Sequence, residues 1–532
     1  LVANTTLNTG SAALTLNATV NGAYTLTLNS TAATTFAGIV GGSAAPTGIN
    51  TNAGGTVVFN TTAITTAGAQ LYRENATIGG NITFTTGNND ITFSGTVNSV
   101  SSTKTLTIVA GSGDTTFSGT VGGSEALGNT TIGTAGLAAG AFKVQGTLAI
   151  TNSAASEIDG VISDGDSAGI ITKAGAGTLT LSGDNTYTGA TTVNAGTLTI
   201  SHADSLGGTD GATTVASGAA LSISGGLTIA EPITISGTGI SSGGAIVFTG
   251  GNNTYSGAIT LGATSTIVST GGAQTISGTV NAGNGLTITS NSNLTISGVV
   301  GGSTALSAYA VTTTGSGTQT FSANVTTTGN QTYTAAGGIT SSGARTFTSN
   351  SGTVNFASAL AGNNNNLTVS GAADIDGAVT NIAVLSITGA SNIGANITSS
   401  GTQTYGGAVT LSANTTLTTS SDVITFSDTV NSDSTTRNLT LATGGNSTEI
   451  NFDGIVGGSN AAGVITITGA LDLNAAITGA TSIAVSGVSN IGADVTTSGT
   501  QTYSAATTLS GAARTLEGST IQTTTINGGQ NL

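Results

Sequence analysis

The chain has 532 residues, of which 83 are Gly and only 5% are charged, and its 22 acidic and seven basic residues give a net charge of −15. The scattered basic residues exclude a nucleic-acid binder, which needs a clustered basic face. The 37% hydrophobic content is too high for a disordered chain, and no run of about 18 apolar residues exists to cross a membrane as a helix.

The chain starts as "LVANTTLNTG", with no Met at position 1 or elsewhere, so the expectation is a removed leader or a segment of a larger protein. There is no Cys. From Val40 the string "VGGS" appears, and it recurs from Val121, Val300 and Val456. "GAQLYRENATIG" then begins a triplet: Tyr72 to Phe93 in "DITFSGTV" is 21 residues, and Phe93 to Phe117 in "DTTFSGTVGGS" is 24. N-x-T triplets at Asn4, Asn17 and Asn75 read as ladder and turn residues, not as glycan acceptors.

"SEIDGVISDGDSAG" is the densest acidic run, with Glu157, Asp159, Asp164 and Asp166. It lacks EF-hand and β-roll spacings, so it reads as a solvated loop; the calcium alternative would use Asp159, Asp164 and Asp166. His202, the one histidine, lies in "TISHADSLGG". A catalytic triad would join it to Asp204 and a serine, but no nucleophile elbow precedes a helix, so a surface turn residue is expected.

A second triplet runs from Tyr255 to Ile276 and Ile296, at 21 and 20 residues. Asp374 with Asp376, and Asp428 with Asp433, again read as solvated turns. "SGTQTYGGAVTLSANTTL" at 400–417 nearly returns at 498–516, with Gln403 and Gln501 98 residues apart; Tyr405, Phe426 and Phe452 form the third triplet, at 21 and 26. The chain closes on "TTTINGGQNL", still in Thr/Asn strand chemistry.

The unit beneath these repeats is about 20–25 residues. Within it, "GTLTLSG", "GTLTIS" and "VITITG" alternate apolar residues with Thr or Ser, the period of half-buried strands, and Gly and Asn pairs punctuate them as turns. Only two prolines interrupt a ladder. A propeller blade needs about 40–50 residues, and a sandwich gives no reason for a 20-residue period. The expected fold is all-β: a parallel β-helix (β-solenoid) of roughly 26 coils, a single continuous domain over 1–532, on the order of 125 Å long at about 4.8 Å per coil. Thr, Ser and Asn in register would form ladders, and low charge avoids like-charge stacking between coils.

"GIITKAGAGTLTLSGDNTYTGATTVNAGTLTIS" closely resembles the autotransporter-associated β-strand repeat of secreted passenger domains of Gram-negative bacteria. The likeness runs over about 160–207 and includes Lys173, Gly175, Gly177, Leu179, Leu181, Tyr187, Gly189 and Gly196. "QTY-x-GAVTL", "ITFSGTV" and "F-x-G-x-VGGS" are similar to segments of large filamentous-haemagglutinin-like exoproteins. The resemblance implies a right-handed β-helix, exported to the cell surface, with a role in adhesion, surface coating or extracellular fibres. A C-terminal barrel and a signal peptide are not found, which leaves the secretion route open.

A polysaccharide-cleaving β-helix enzyme would need two carboxylates about 5–10 Å apart and aromatic platforms; Trp is absent and aromatics are 4%. The expectation is a non-enzymatic structural protein without cofactor or metal, associating with its own kind end to end or side by side, or alternatively an adhesin for cells or glycans.

Overall fold

The computed structural model describes residues 1–528. Short strands wind in parallel coils, and partners in adjacent coils lie about 21 residues apart. Among the described residues the one helical element is a three-residue turn, Ile240–Ser242. Two compact units are present, Leu1–Gly272 and Ala273–Leu532.

In the first unit three parallel ladders wall the interior. One runs through Gln70–Tyr72, Ile91–Phe93 and Thr115–Phe117. A second runs from Leu14–Leu16 through Ala33–Phe36, Thr56–Phe59 and Asn75–Ile78. The third takes Ala63–Thr66, Ile82–Thr86, Leu106–Val109 and Thr130–Thr134. The second unit repeats the plan: Ile397–Ser399 pairs with Thr415–Thr419, Gln403–Tyr405 with Ile424–Phe426, and Val409–Leu411 with Val430–Ser432.

Alternation decides what each strand buries. In Thr25–Ser30, Leu26 and Leu28 point inward while Thr25 and Thr27 face out. The triplets of the sequence are register partners: Tyr72 with Phe93 with Phe117, Ile276 with Ile296, and Tyr405 with Phe426 with Phe452. These rings are interior, and equivalent side chains in successive coils point the same way. They therefore stack at the coil spacing: Tyr405–Phe426 at 5.1 Å and 13°, Phe426–Phe452 at 5.0 Å and 7°.

The "VGGS" strings form one corner built four times. The backbone N–H groups of Ser43, Ser124, Ser303 and Ser459 donate to the side-chain carbonyls of Asn21, Asn98, Asn281 and Asn431 in the preceding coil. Gly301, the first glycine of the third copy, has φ +71° and sits where a Cβ would come within 2.1 Å of the Thr326 carbonyl oxygen. Only glycine combines that left-handed backbone with so close an approach.

The expected polar ladders are present on the outside, as in Asn29 to Asn8 at 2.6 Å and Thr320 with Thr340 at 2.9 Å. Asn4 and Asn75, from the N-x-T triplets, accept the backbone N–H of Thr25 and Thr96 in the next coil.

Candidate functional site

The residues 160–207 bring the most specific sequence signal together with the only histidine. Lys173 points inward from Ile170–Ala174 and is fully buried. Its ammonium donates to the carbonyls of Ala174 and Gly175 at 2.9 Å and of Ala195 in the next coil at 3.0 Å. Burial lowers its pKa to about 8. Gly196 closes this corner: a Cβ there would meet the Gly175 and Gly177 carbonyl oxygens at 2.4 Å and the Lys173 Nζ at 2.8 Å. The hydroxyl of Tyr187, also buried, pairs with that of Thr191 at 2.6 Å. Lys173, Tyr187 and the repeat's glycines thus fit one coil onto the next.

His202 sits in the turn that follows Gly196–Ile200 and is half exposed. Its Nδ1 accepts the Asp204 backbone N–H at 3.2 Å, and the Asp204 carboxylate is 3.8 Å away. The neighbouring Ser205 is buried; its hydroxyl accepts the His202 backbone N–H and donates to the Leu181 carbonyl, so both its hydrogen bonds go to the main chain.

The acidic loop does not converge. Asp164 accepts the N–H of Gly169 at 2.7 Å and both the N–H and hydroxyl of Thr188, fixing the turn above it. Asp159 lies with Glu157 beside a shallow groove of about 280 Å³. Among the described residues, Asp159, Asp164 and Asp166 do not bring their oxygens within 4.8 Å of one another. Elsewhere Asn355 bridges Asp374 and Asp376, Asp428 accepts the N–H of Thr429, and Arg437 grips Asp433 through two bonds of 3.0 and 2.7 Å. That guanidinium holds the Asp433 carboxyl below the usual range.

Two features of the exterior stand out. The third ladder of the first unit carries an outward column of Thr83, Thr107, Thr131, Ala149, Thr172, Thr192, Thr214, Thr234 and Thr260, one residue per coil, with threonine at every level but one. In the second unit Asn355, Asp374, Asn392 and Thr410 stack in register along a groove of about 330 Å³ floored by small residues, Ala372, Ala390 and Ala408. Hydrogen bonds from Asn355 and Asn392 hold the Asp374 carboxylate on both sides.

Two buried devices were not read from the sequence. One is the Gln-x-Tyr pair. Gln70, Gln331, Gln403 and Gln501 are buried, each bonds through Nε2 to a backbone carbonyl of the following coil, and each accepts the hydroxyl of the Tyr two positions on. The other is Glu231, 3% exposed, with neither carboxylate oxygen hydrogen-bonded. Burial, and then the Asp210 carboxylate, push its pKa up to about 8.

Residues 171–200 match the family model of the passenger-associated-transport-repeat. That segment contains Lys173, Tyr187 and Gly196 and covers a small part of the chain. No curated protein and no solved structure matches.

Proposed function

We propose that this chain is a secreted structural protein of the bacterial cell surface, whose working part is the outer face of its stacked coils and which assembles into an extracellular filament, sheath or layer. The observation that carries this reading is the passenger-type repeat at 171–200, set within coils of the same parallel construction. A transport-associated repeat belongs to chains that leave the cell. Stacked coils with glycine corners and polar ladders give a stable surface without disulfides. The last described strand, Thr520–Asn527, is exposed along its whole length and pairs on one edge with Thr500–Leu509.

The groove along Asp374 and Asn392 favours a second reading, an adhesin for glycans or neighbouring cells. Its stacked amides and carboxylate present acceptors and donors at the coil repeat, suited to a polyhydroxylated ligand.

Electron microscopy of the purified chain, with labelling of intact expressing cells by antibody, tests both. Long uniform fibres and surface labelling support assembly. Discrete particles of one size that bind glycans, with binding lost in Asp374→Ala, support the adhesin. Absence of surface labelling refutes both.

A further inference from the structure

Asp184 and Asp204 occupy the same corner in successive coils, where the backbone N–H of Asn185 donates to the Asp204 carbonyl at 3.2 Å. With His202 they present three ligand atoms, two carboxylate oxygens and one imidazole nitrogen, all within 4.8 Å of one another. The set is half exposed: 42% for the His202 side chain and 61% for that of Asp204.

Two other pairs of neighbouring carboxylates are each bridged by an amide donor. Asn355 lies between Asp374 and Asp376, and Asn474 between Asp453 and Asp472. Among the described residues no such donor stands between Asp184 and Asp204. Their neighbour is an imidazole whose Nδ1 presents a lone pair, engaged at present by the Asp204 backbone N–H alone. Two like charges this close repel, and a cation between them removes the repulsion.

We propose that Asp184, His202 and Asp204 form a site for one divalent transition-metal ion of the zinc type, which joins two adjacent coils. The mixed nitrogen–oxygen donor set selects the class: imidazole suits zinc, copper and nickel, whereas calcium takes six or more oxygens. Three protein ligands leave the remaining positions to water, as exposure allows. On binding, the metal replaces the Asp204 N–H as partner of the Nδ1 lone pair. In a chain without cysteine the bound ion acts as a coil-to-coil staple that ties Asp184 of the passenger-type repeat to the turn just after it.

Because His202 is the one histidine in the sequence, its imidazole gives a single signature. The test uses the full chain without a histidine tag, labelled with 15N-histidine and titrated with zinc chloride, alongside Asp184→Asn and His202→Gln; circular dichroism checks that both variants fold. The expected result is a saturable shift of the ring nitrogen at one ion per chain, with affinity in Asp184→Asn falling by at least the roughly 10- to 100-fold that loss of an outer-shell partner costs, and calorimetric binding lost in His202→Gln. Calcium should leave the ring signals unmoved. An unmoved ring signal, or zinc affinity equal in wild type and Asp184→Asn, overturns the proposal. The site can fail this test while the protein remains a surface assembly, since fibre formation is read separately.

Discussion

The hydroxyl of Tyr405 donates to the side-chain carbonyl of Gln403, two residues earlier on the same strand, at 2.9 Å. Gln403 spends its amide on the Ser399 hydroxyl and on the carbonyl of Thr418 in the following coil, so Tyr405 completes its satisfaction. The pattern [ST]-x-G-x-Q-x-Y repeats it: Thr66 to Tyr72, Thr327 to Tyr333 and Thr497 to Tyr503 carry the same bonds. "SGTQTY" is therefore written twice because it turns a corner and dresses a buried glutamine.

Tyr405→Phe keeps the ring stack on Phe426 and strands the Gln403 carbonyl oxygen. The expected loss is about 1–2 kcal/mol of local stability, read as faster hydrogen exchange at the amides of 397–430. Unchanged exchange would show that the hydroxyl contributes nothing.

Nature provides the reverse case at Phe321, which follows Gln319 at the same spacing. Without a hydroxyl there, the Gln319 side-chain oxygen is buried and unbonded. Phe321→Tyr should slow exchange around 311–341 by the equivalent of about 1 kcal/mol. Faster exchange would mean that the extra oxygen crowds Tyr333 and Phe347 instead.

The period was legible in the chain because register partners such as Tyr405 and Phe426 are one coil apart in number as well as in space. Alternation placed strands correctly, and the recurring rings are the residues that the alternation turns inward. The glutamine device was not legible, since its bonds depend on how the corner turns. Lys173 and Glu231 were missed as buried groups because an isolated charge in sequence ordinarily means a surface. For Asp184 a signal existed: it stands 20 residues before Asp204, one coil period.

Glu231 makes the first unit sensitive to pH. Its folded pKa, about 8, lies above its unfolded value, so the folded state holds a proton that the unfolded state releases between these limits. Stability is greatest below the unfolded value, and is lost as pH climbs through 8. Thermal unfolding of the first unit should therefore occur at lower temperature at pH 8.5 than at pH 5, and Glu231→Gln should flatten that slope. An equal slope in the variant would assign the effect to other groups.

Lys173 acts in the adjoining window with the opposite sign. Its pKa falls on folding, so between about pH 8 and the unfolded value the native state carries fewer protons and gains stability as pH rises. Lys173→Met removes this dependence and leaves three carbonyls without their donor, at a cost of about 1–3 kcal/mol. Proteolysis at 171–200 across pH 7–10 reads both effects; a variant as resistant as wild type at every pH would refute them.

Gly301→Ala places a methyl group against the Thr326 carbonyl in a backbone region hostile to it, with an expected penalty of at least about 1 kcal/mol. Gly302→Ala, where φ is ordinary and the nearest atom is a Val299 methyl, is the milder control. Comparing limited proteolysis of the two distinguishes a backbone requirement from general crowding.

At the "VGGS" corners the asparagine belongs to the earlier coil and the amide it receives to the later one. Each such corner is tied in both directions: the later coil's serine N–H donates back to the asparagine, while main-chain N–H groups of the asparagine's own coil, such as those of Val97 and Ser99, donate forward to the carbonyls of Thr120 and Glu125. Removing a coil from either side therefore uncovers a main-chain donor, and neither direction of fraying is without cost.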